Sequence, residues 1–360
     1  MTEPFVHGGN IYEDVPERGA WLDFSANINP LGLSAQVQEA IEQNIGGLVH
    51  YPDPNGTELR KAIHTAYDVP VENIILGNGA AELLYIFFHC FRPKRVLLPV
   101  PSFSEYERAA LAADASVEYL FLSEDRGFSL DVQELIQRLA SVDCVVLGNP
   151  NNPTGELLER EQLAAVAAAA ERTGCRVIVD ESFMDFRQDA VLYSAMELTK
   201  CFSNLFVLHS LTKFYAIPGL RLGFGVLAAE DAARLECQKD PWNVNLLAHK
   251  AGVAALQDSV YRVKSLEFLA RESPFMTAAL KKLLGVTVFE PTVNFIFMDL
   301  KRTGMTAAVC CRRMKRQGIL LRDCSNYPGL GDTFIRAAVR TREENERLLT
   351  ALRTVLEEEA

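Results

Sequence analysis

The chain predicts an α/β protein, built on a mostly parallel seven-stranded sheet with helices on both faces, plus a smaller α+β domain. Three observations predict it. Short apolar runs recur at 73–76, 95–99, 117–121, 144–147, 176–179, 205–209 and 222–227. Helix-length stretches separate several of them, among them Ala80 to Phe91, Glu105 to Ala113 and Arg160 to Thr173, an alternation that favours parallel strands covered on both sides. The pattern then changes beyond Pro241, where long helical stretches lead into a second set of strand-like runs.

Taken in order, residues 1–50 form a loop-rich start, with Asn27-Ile28-Asn29-Pro30-Leu31-Gly32 ahead of a helical pattern from Ser34 to Asn44. The seven runs and their helices follow. A long helical stretch from Pro241 to Leu284, broken near Asp258, joins the two parts. Runs at 286–290, 294–300, 319–322 and 334–339 read as the strands of the smaller domain, and a charged helix starts near Thr341. The expected division is an amino-terminal arm and small-domain segment over 1–50, a large domain over 51–245 and a small domain over 246–360.

A length of 360 residues buries a large core without disulfide or metal staples. The net charge of -11 argues against nucleic acid or an anionic membrane as partner. Eight cysteines are scattered without a C-x-x-C pair, several within apolar runs, which suits a reducing cytoplasm. The amino terminus lacks a basic start and an apolar core, and the apolar stretch Leu163 to Ala170 is too short to span a bilayer. A cytoplasmic location is expected, and no metal.

In an open parallel sheet, ligands bind beyond the carboxyl ends of the strands, which places Gly79, Asn152, Asp180 and Lys213 along one edge. Lys213 follows the run at 205–209, stands beside Ser210 and Thr212, and precedes Arg221 by eight residues. An amine, two hydroxyls and a guanidinium suit a phosphate-bearing aldehyde held as a Schiff base. A lone lysine on a loop is the plainer reading. Asp180 could equally cap a helix, and Asn151-Asn152-Pro153-Thr154-Gly155 could be only a turn. Gly77-Asn78-Gly79-Ala80-Ala81-Glu82 lacks the third glycine of a dinucleotide fingerprint, so what remains is a helix amino terminus able to hold an anion. Phe103 and Tyr51 have bland alternatives as a core aromatic and a surface turn. Arg322 and Arg336 sit inside apolar runs, where an arginine rarely hides without an anionic partner.

The four motifs, in this order, resemble the fold-type I enzymes dependent on pyridoxal phosphate (PLP), in the class I/II aminotransferase group. That resemblance implies PLP as cofactor and Lys213 as the catalytic lysine that carries it. It gives Asp180 the pyridine nitrogen, Asn152 the phenolic oxygen and Phe103 the ring face. The cofactor phosphate falls to the Gly79, Ala80 and Ala81 backbone with Ser210, Thr212 and Arg221. Tyr51 would reach the phosphate of a neighbouring subunit, so a homodimer is expected. Phe183 departs from the tyrosine most aminotransferases of this group carry there.

A narrower resemblance rests on His7-Gly8-Gly9-Asn10-Ile11, Asp23 to Gly32, Ser210 to Arg221 and Asn326-Tyr327-Pro328-Gly329-Leu330. These segments are similar to the threonine-phosphate decarboxylases of the cobalamin pathway, which share the two phenylalanines. It implies decarboxylation of O-phospho-L-threonine to (R)-1-amino-2-propanol O-phosphate, with His7, Gly8, Asn27, Asn152, Arg322 and Arg336 facing that small phosphorylated amino acid. Which arginine takes carboxylate and which phosphate is open. Two alternatives stand beside it, a histidinol-phosphate or related aminotransferase and a non-catalytic PLP-fold binding protein. The intact set of Lys213, Asp180, Asn152 and Arg221 weighs against the last.

Overall fold

The computed structural model describes residues 7–12, 16 and 19–357. The first elements are a two-residue strand, β1 (Leu22–Asp23), and helix α1 (Ala35–Asn44). Ser34 caps α1, its hydroxyl accepting from the Val37 amide at 3.2 Å. Helix α2 (Thr57–Tyr67) leads into the large sheet. There β2 (Ile74–Gly77), α3 (Ala80–Phe91), β3 (Arg95–Val100), α4 (Glu105–Ala112), β4 (Ser116–Phe121), α5 (Val132–Arg138) and β5 (Cys144–Gly148) follow in turn. Next come α6 (Arg160–Thr173), β6 (Arg176–Asp180), β7 (Leu205–Ser210), the single-turn helix α7 (Leu211–Phe214), β8 (Gly223–Val226) and α8 (Ala229–Glu236). All seven apolar runs are strands of one sheet, in the order β2-β8-β7-β6-β5-β3-β4. Only β8 runs against the rest, pairing antiparallel with both β2 and β7.

The strands are apolar throughout because both faces are covered, and alternate side chains go to different cores. Val145, Val177, Val179, Leu205 and Val207 join one cluster. Val146, Ile178, Phe206 and Leu208 join the other, where Phe206 stacks on Phe87 of α3 at 5.3 Å. At about 25 cal/mol per Å² of apolar surface, each such buried side chain contributes roughly 1.5–3 kcal/mol.

Helices α9 (Leu246–Gln257) and α10 (Ser259–Leu280) divide at Asp258, where the carboxylate accepts from the Tyr261 amide at 2.9 Å and starts a new helix. Beyond them lie β9 (Thr287–Val288), β10 (Phe295–Asp299), α11 (Ala307–Arg316), β11 (Ile319–Leu320), β12 (Arg322–Asp323), β13 (Phe334–Ala338) and α12 (Arg342–Glu357). Thr341 and Glu344 cap α12 reciprocally, each accepting the other's backbone amide. The run at 286–290 shrinks to two residues. The run at 319–322 is not one strand. Ile319 and Leu320 pair in parallel with β1, whereas Arg322 and Asp323 pair with β13 in an antiparallel sheet of order β12-β13-β10-β9. The chain crosses between sheets at Leu321, and each strand is too short to carry its own periodicity.

No helix among the described residues is long and apolar enough to cross a membrane. All eight cysteines are unpaired.

Candidate active site

Strand register sets the site. Gly148 lies opposite Asp180 across β5 and β6, and Gly223 lies opposite both Ser210 and Gly77. The strand ends that carry the motifs therefore share one edge, above which opens a cavity of about 580 Å³. Every residue expected to bind cofactor or substrate lines it except Tyr51. Tyr51 is exposed and stacks on Trp242 at 4.4 Å.

Lys213 projects from α7 into the cavity, its Nζ donating to Ser210 Oγ at 3.2 Å, and Ser210 Oγ lies 2.8 Å from Thr212 Oγ1. Burial pushes the Lys213 amine down to about 8, with Arg221 and Arg336 adding to the shift and Asp180 opposing it. An amine with that pKa is still mostly protonated at neutral pH, but its neutral, nucleophilic form is far more populated than that of an ordinary lysine. Arg221 sits in the left-handed region at φ 57, which turns its guanidinium against the start of α3. Gly79 meets it there at φ 86, and a Cβ on Gly79 would stand 2.5 Å from Arg221 Nη2. The positive φ demands glycine, and a Cβ here would push the guanidinium away. No side chain caps α3, so its first amides open beside a guanidinium and two hydroxyls. This is a built anion cradle.

Asp180, buried at the end of β6, accepts from the Tyr106 hydroxyl at 2.8 Å and the Ser182 amide at 2.9 Å. Asn152 Oδ1 accepts from Arg336 and lies 3.5 Å from the Tyr327 hydroxyl. Its amide nitrogen is left for the cavity. Phe103 lines the wall beside His7, their rings 5.5 Å apart. Phe183 is buried with its ring centre 5.1 Å from Lys213 Nζ, and a phenyl ring offers no hydrogen-bond donor there.

Arg322 and Arg336 are directly opposed across β12 and β13, each only 5% exposed. Like charges in register destabilise a sheet. Arg336 bonds only neutral acceptors, Asn152 Oδ1 and the Ser25 carbonyl at 2.8 Å, and its Nε is buried without a partner. Asn27 Oδ1 is likewise buried and unpartnered on the cavity wall. Orphaned polar atoms at a cavity mark where a ligand's charge belongs.

Several contributors were not singled out beforehand. Tyr106, which holds Asp180, stands three residues after Phe103, one turn away at the start of α4. Glu105 accepts from His7 Nε2 at 2.8 Å and from the Tyr85 hydroxyl at 3.1 Å. The His7 bond holds its carboxyl below the usual range, against the opposing effect of burial. Tyr327 lies beneath the Arg322 guanidinium, its ring centre 5.0 Å away. Asn29 donates its amide to the Lys213 carbonyl at 2.9 Å and its side chain to the Phe214 carbonyl at 2.8 Å. Among the described residues, no cluster of histidine, cysteine and carboxylate side chains is placed to hold a metal.

A lysine, an anion cradle and a buried carboxylate on one sheet edge define a site for a phosphorylated carbonyl cofactor. The model of the aminotransferase class I and II family matches residues 20–352, and the chain belongs to that family. It is 38% identical over 357 residues to a threonine-phosphate decarboxylase from Salmonella typhimurium, covering 98% of this chain and 96% of that one. Its fold is similar to a histidinol-phosphate aminotransferase from Clostridium acetobutylicum, with TM-score 0.86, 32% identity and coverage of 93% and 99%. An L-threonine-O-3-phosphate decarboxylase from Porphyromonas gingivalis matches at TM-score 0.82 and 28% identity, with coverage of 93% and 99%.

The residues present fit PLP. The cradle at Gly79 would take its phosphate, Lys213 its carbonyl carbon and Asp180 its protonated ring nitrogen. One consequence is measurable. In protein stripped of cofactor, covalent capture of PLP should accelerate as pH rises through about 8 and level off above it, because only the neutral amine attacks. Stopped-flow absorbance checks this. A rate that is flat across that range would contradict a depressed lysine.

Proposed function

We propose that this chain is a PLP-dependent lyase that decarboxylates O-phospho-L-threonine, releasing carbon dioxide and (R)-1-amino-2-propanol O-phosphate. The observation that carries this reading is the opposed pair Arg322 and Arg336, two buried cations on one cavity wall beyond the cofactor's own phosphate cradle. A substrate bearing both a carboxylate and a phosphate suits this wall, where Arg336 bonds neutral acceptors and keeps a buried Nε without a partner. The near full-length similarity to threonine-phosphate decarboxylases supports the same choice.

When bound, PLP supplies an electron-accepting ring in conjugation with the substrate nitrogen. The chain supplies the rest. Asp180, oriented by Tyr106 and the Ser182 amide, would set a carboxylate beside the ring nitrogen and favour its protonated form. Arg336, with Arg322 opposite, would hold the substrate's anionic groups, Asn27 Oδ1 would accept from one of its N–H or O–H donors, and together they would orient the bond to its carboxylate for cleavage. Cleavage leaves both bonding electrons at Cα, and one proton must be returned there. Lys213, its pKa lowered to about 8 and its Nζ 3.2 Å from Ser210 Oγ, is the group we assign to move it. Transamination would instead remove the Cα proton, and the same residues could serve it, so product analysis decides. Purified protein should release carbon dioxide from O-phosphothreonine. Rapid glutamate formation from histidinol phosphate with 2-oxoglutarate, and no carbon dioxide from the first substrate, would make it an aminotransferase.

The reading includes a homodimer, in which Tyr51 of each chain serves the other's cofactor phosphate. Its exposure, and its place outside the lining of its own cavity, support this. Tyr51→Phe should weaken PLP retention by the worth of one charge-assisted hydrogen bond, about 1.5–3 kcal/mol at most. Equilibrium dialysis measures that loss. Light scattering that finds a fully active monomer would refute the shared site.

A further inference from the structure

His7, Gly8, Gly9, Ile11 and Tyr12 line the cavity, and the stretch His7 to Gly9 forms a short strap along its wall. Glu105 holds one end of it, accepting from His7 Nε2 at 2.8 Å, and Ser25 holds the rest. Its hydroxyl accepts from the Gly9 amide at 2.7 Å and donates to Asp23 Oδ1 at 2.6 Å. Gly8 packs so closely that a Cβ on it would stand 2.2 Å from the Ser25 carbonyl oxygen. That same oxygen accepts from Arg336 Nη2 at 2.8 Å. The Asp23 carboxylate fixes the peptide between them, since Oδ1 also accepts from the Ser25 amide at 2.8 Å and the Ala26 amide at 3.3 Å. Ser25 itself is 3% exposed, so these bonds do not compete freely with water.

We infer that Ser25 is a positioning residue that ties the His7–Gly9 strap to Arg336, so that this stretch of the cavity wall and the guanidinium that reads the substrate anion are set together. The assignment of a doubly anionic substrate rests on the function proposed above, but the mechanical link does not. An anion drawn to Arg336 orders the Ser25 peptide, which orders the Gly9 amide and with it the strap. The ordered strap in turn holds the carbonyl that aims Arg336. The two contacts share one residue, so they should be thermodynamically coupled.

The test uses the PLP-loaded full chain. Ser25→Ala removes the hydroxyl and keeps the backbone carbonyl. KM for O-phosphothreonine should rise roughly 3- to 10-fold, the worth of about one hydrogen bond, with PLP retention unchanged. Gly8→Ala, which forces the strap off Ser25, should raise KM similarly, and the double variant should be no worse than the poorer single one. Hydrogen exchange over residues 7–12 gives a second measure that does not depend on turnover. Saturating inorganic phosphate should slow exchange in the wild type and leave Ser25→Ala unaffected. Additive KM effects, or equal protection by phosphate in both proteins, would overturn the inference. A wild type that releases no carbon dioxide yet shows the Ser25-dependent protection would reject the proposed reaction and keep the coupling.

Discussion

Replacing Lys213 with alanine is expected to lower turnover at least about a thousand-fold, since covalent capture of the cofactor and movement of the Cα proton both depend on its amine. The fold should survive. The side chain makes one bond within the protein, to Ser210 Oγ, and its depressed pKa shows that the charged form is disfavoured where it stands. The variant should still bind PLP, because the Gly79 cradle, Asp180 and Asn152 are untouched. Borohydride reduction followed by peptide mass analysis should find PLP on Lys213 in the wild type and on no residue in the variant. PLP fixed to a different lysine, with turnover retained, would sink the assignment.

Arg336 should have the next largest effect. Truncating one partner of a buried charge pair costs about 2–5 kcal/mol, so Arg336→Met should lower kcat/KM for O-phosphothreonine roughly 30- to several-thousand-fold. Arg336→Lys should recover little, because an ammonium cannot fork between Asn152 Oδ1 and the Ser25 carbonyl while meeting an anion. Stability should respond differently. The substitution leaves two acceptors short of a donor but relieves a like-charge pair across β12 and β13 and removes an orphaned Nε. These terms oppose one another at about 1–3 kcal/mol each, so the thermal midpoint should move by only a few degrees. Steady-state kinetics beside calorimetry separates the two. A collapse in stability matching the loss of rate would mean that Arg336 serves the fold and not the substrate.

The chemistry of the sheet edge was legible in the chain because it is local. Lys213, Asp180, Asn152 and Gly79 each follow an apolar run by a few residues, and parallel strands bring such positions to one side whatever their order. The core was legible for a similar reason, since strands covered on both faces must be apolar throughout. The break at Asp258 could be read from the chain as well, because a helix cap is a contact between near neighbours.

What the tertiary structure alone decided is how distant segments meet. Leu22 and Asp23 pair with Ile319 and Leu320 in a two-residue ladder too short to leave a period in the sequence. The division of 319–322 between two sheets follows from that pairing and brings Arg322 opposite Arg336. His7 reaches Glu105, Tyr106 reaches Asp180, and Ser25 reaches Arg336 across 98, 74 and 311 residues. Each of these is a polar contact whose partners are ordinary in their local setting. Propensity and hydrophobic pattern report what a residue prefers beside its neighbours, while hydrogen-bond partners are settled only when packing closes off water and leaves each buried donor a single acceptor within reach.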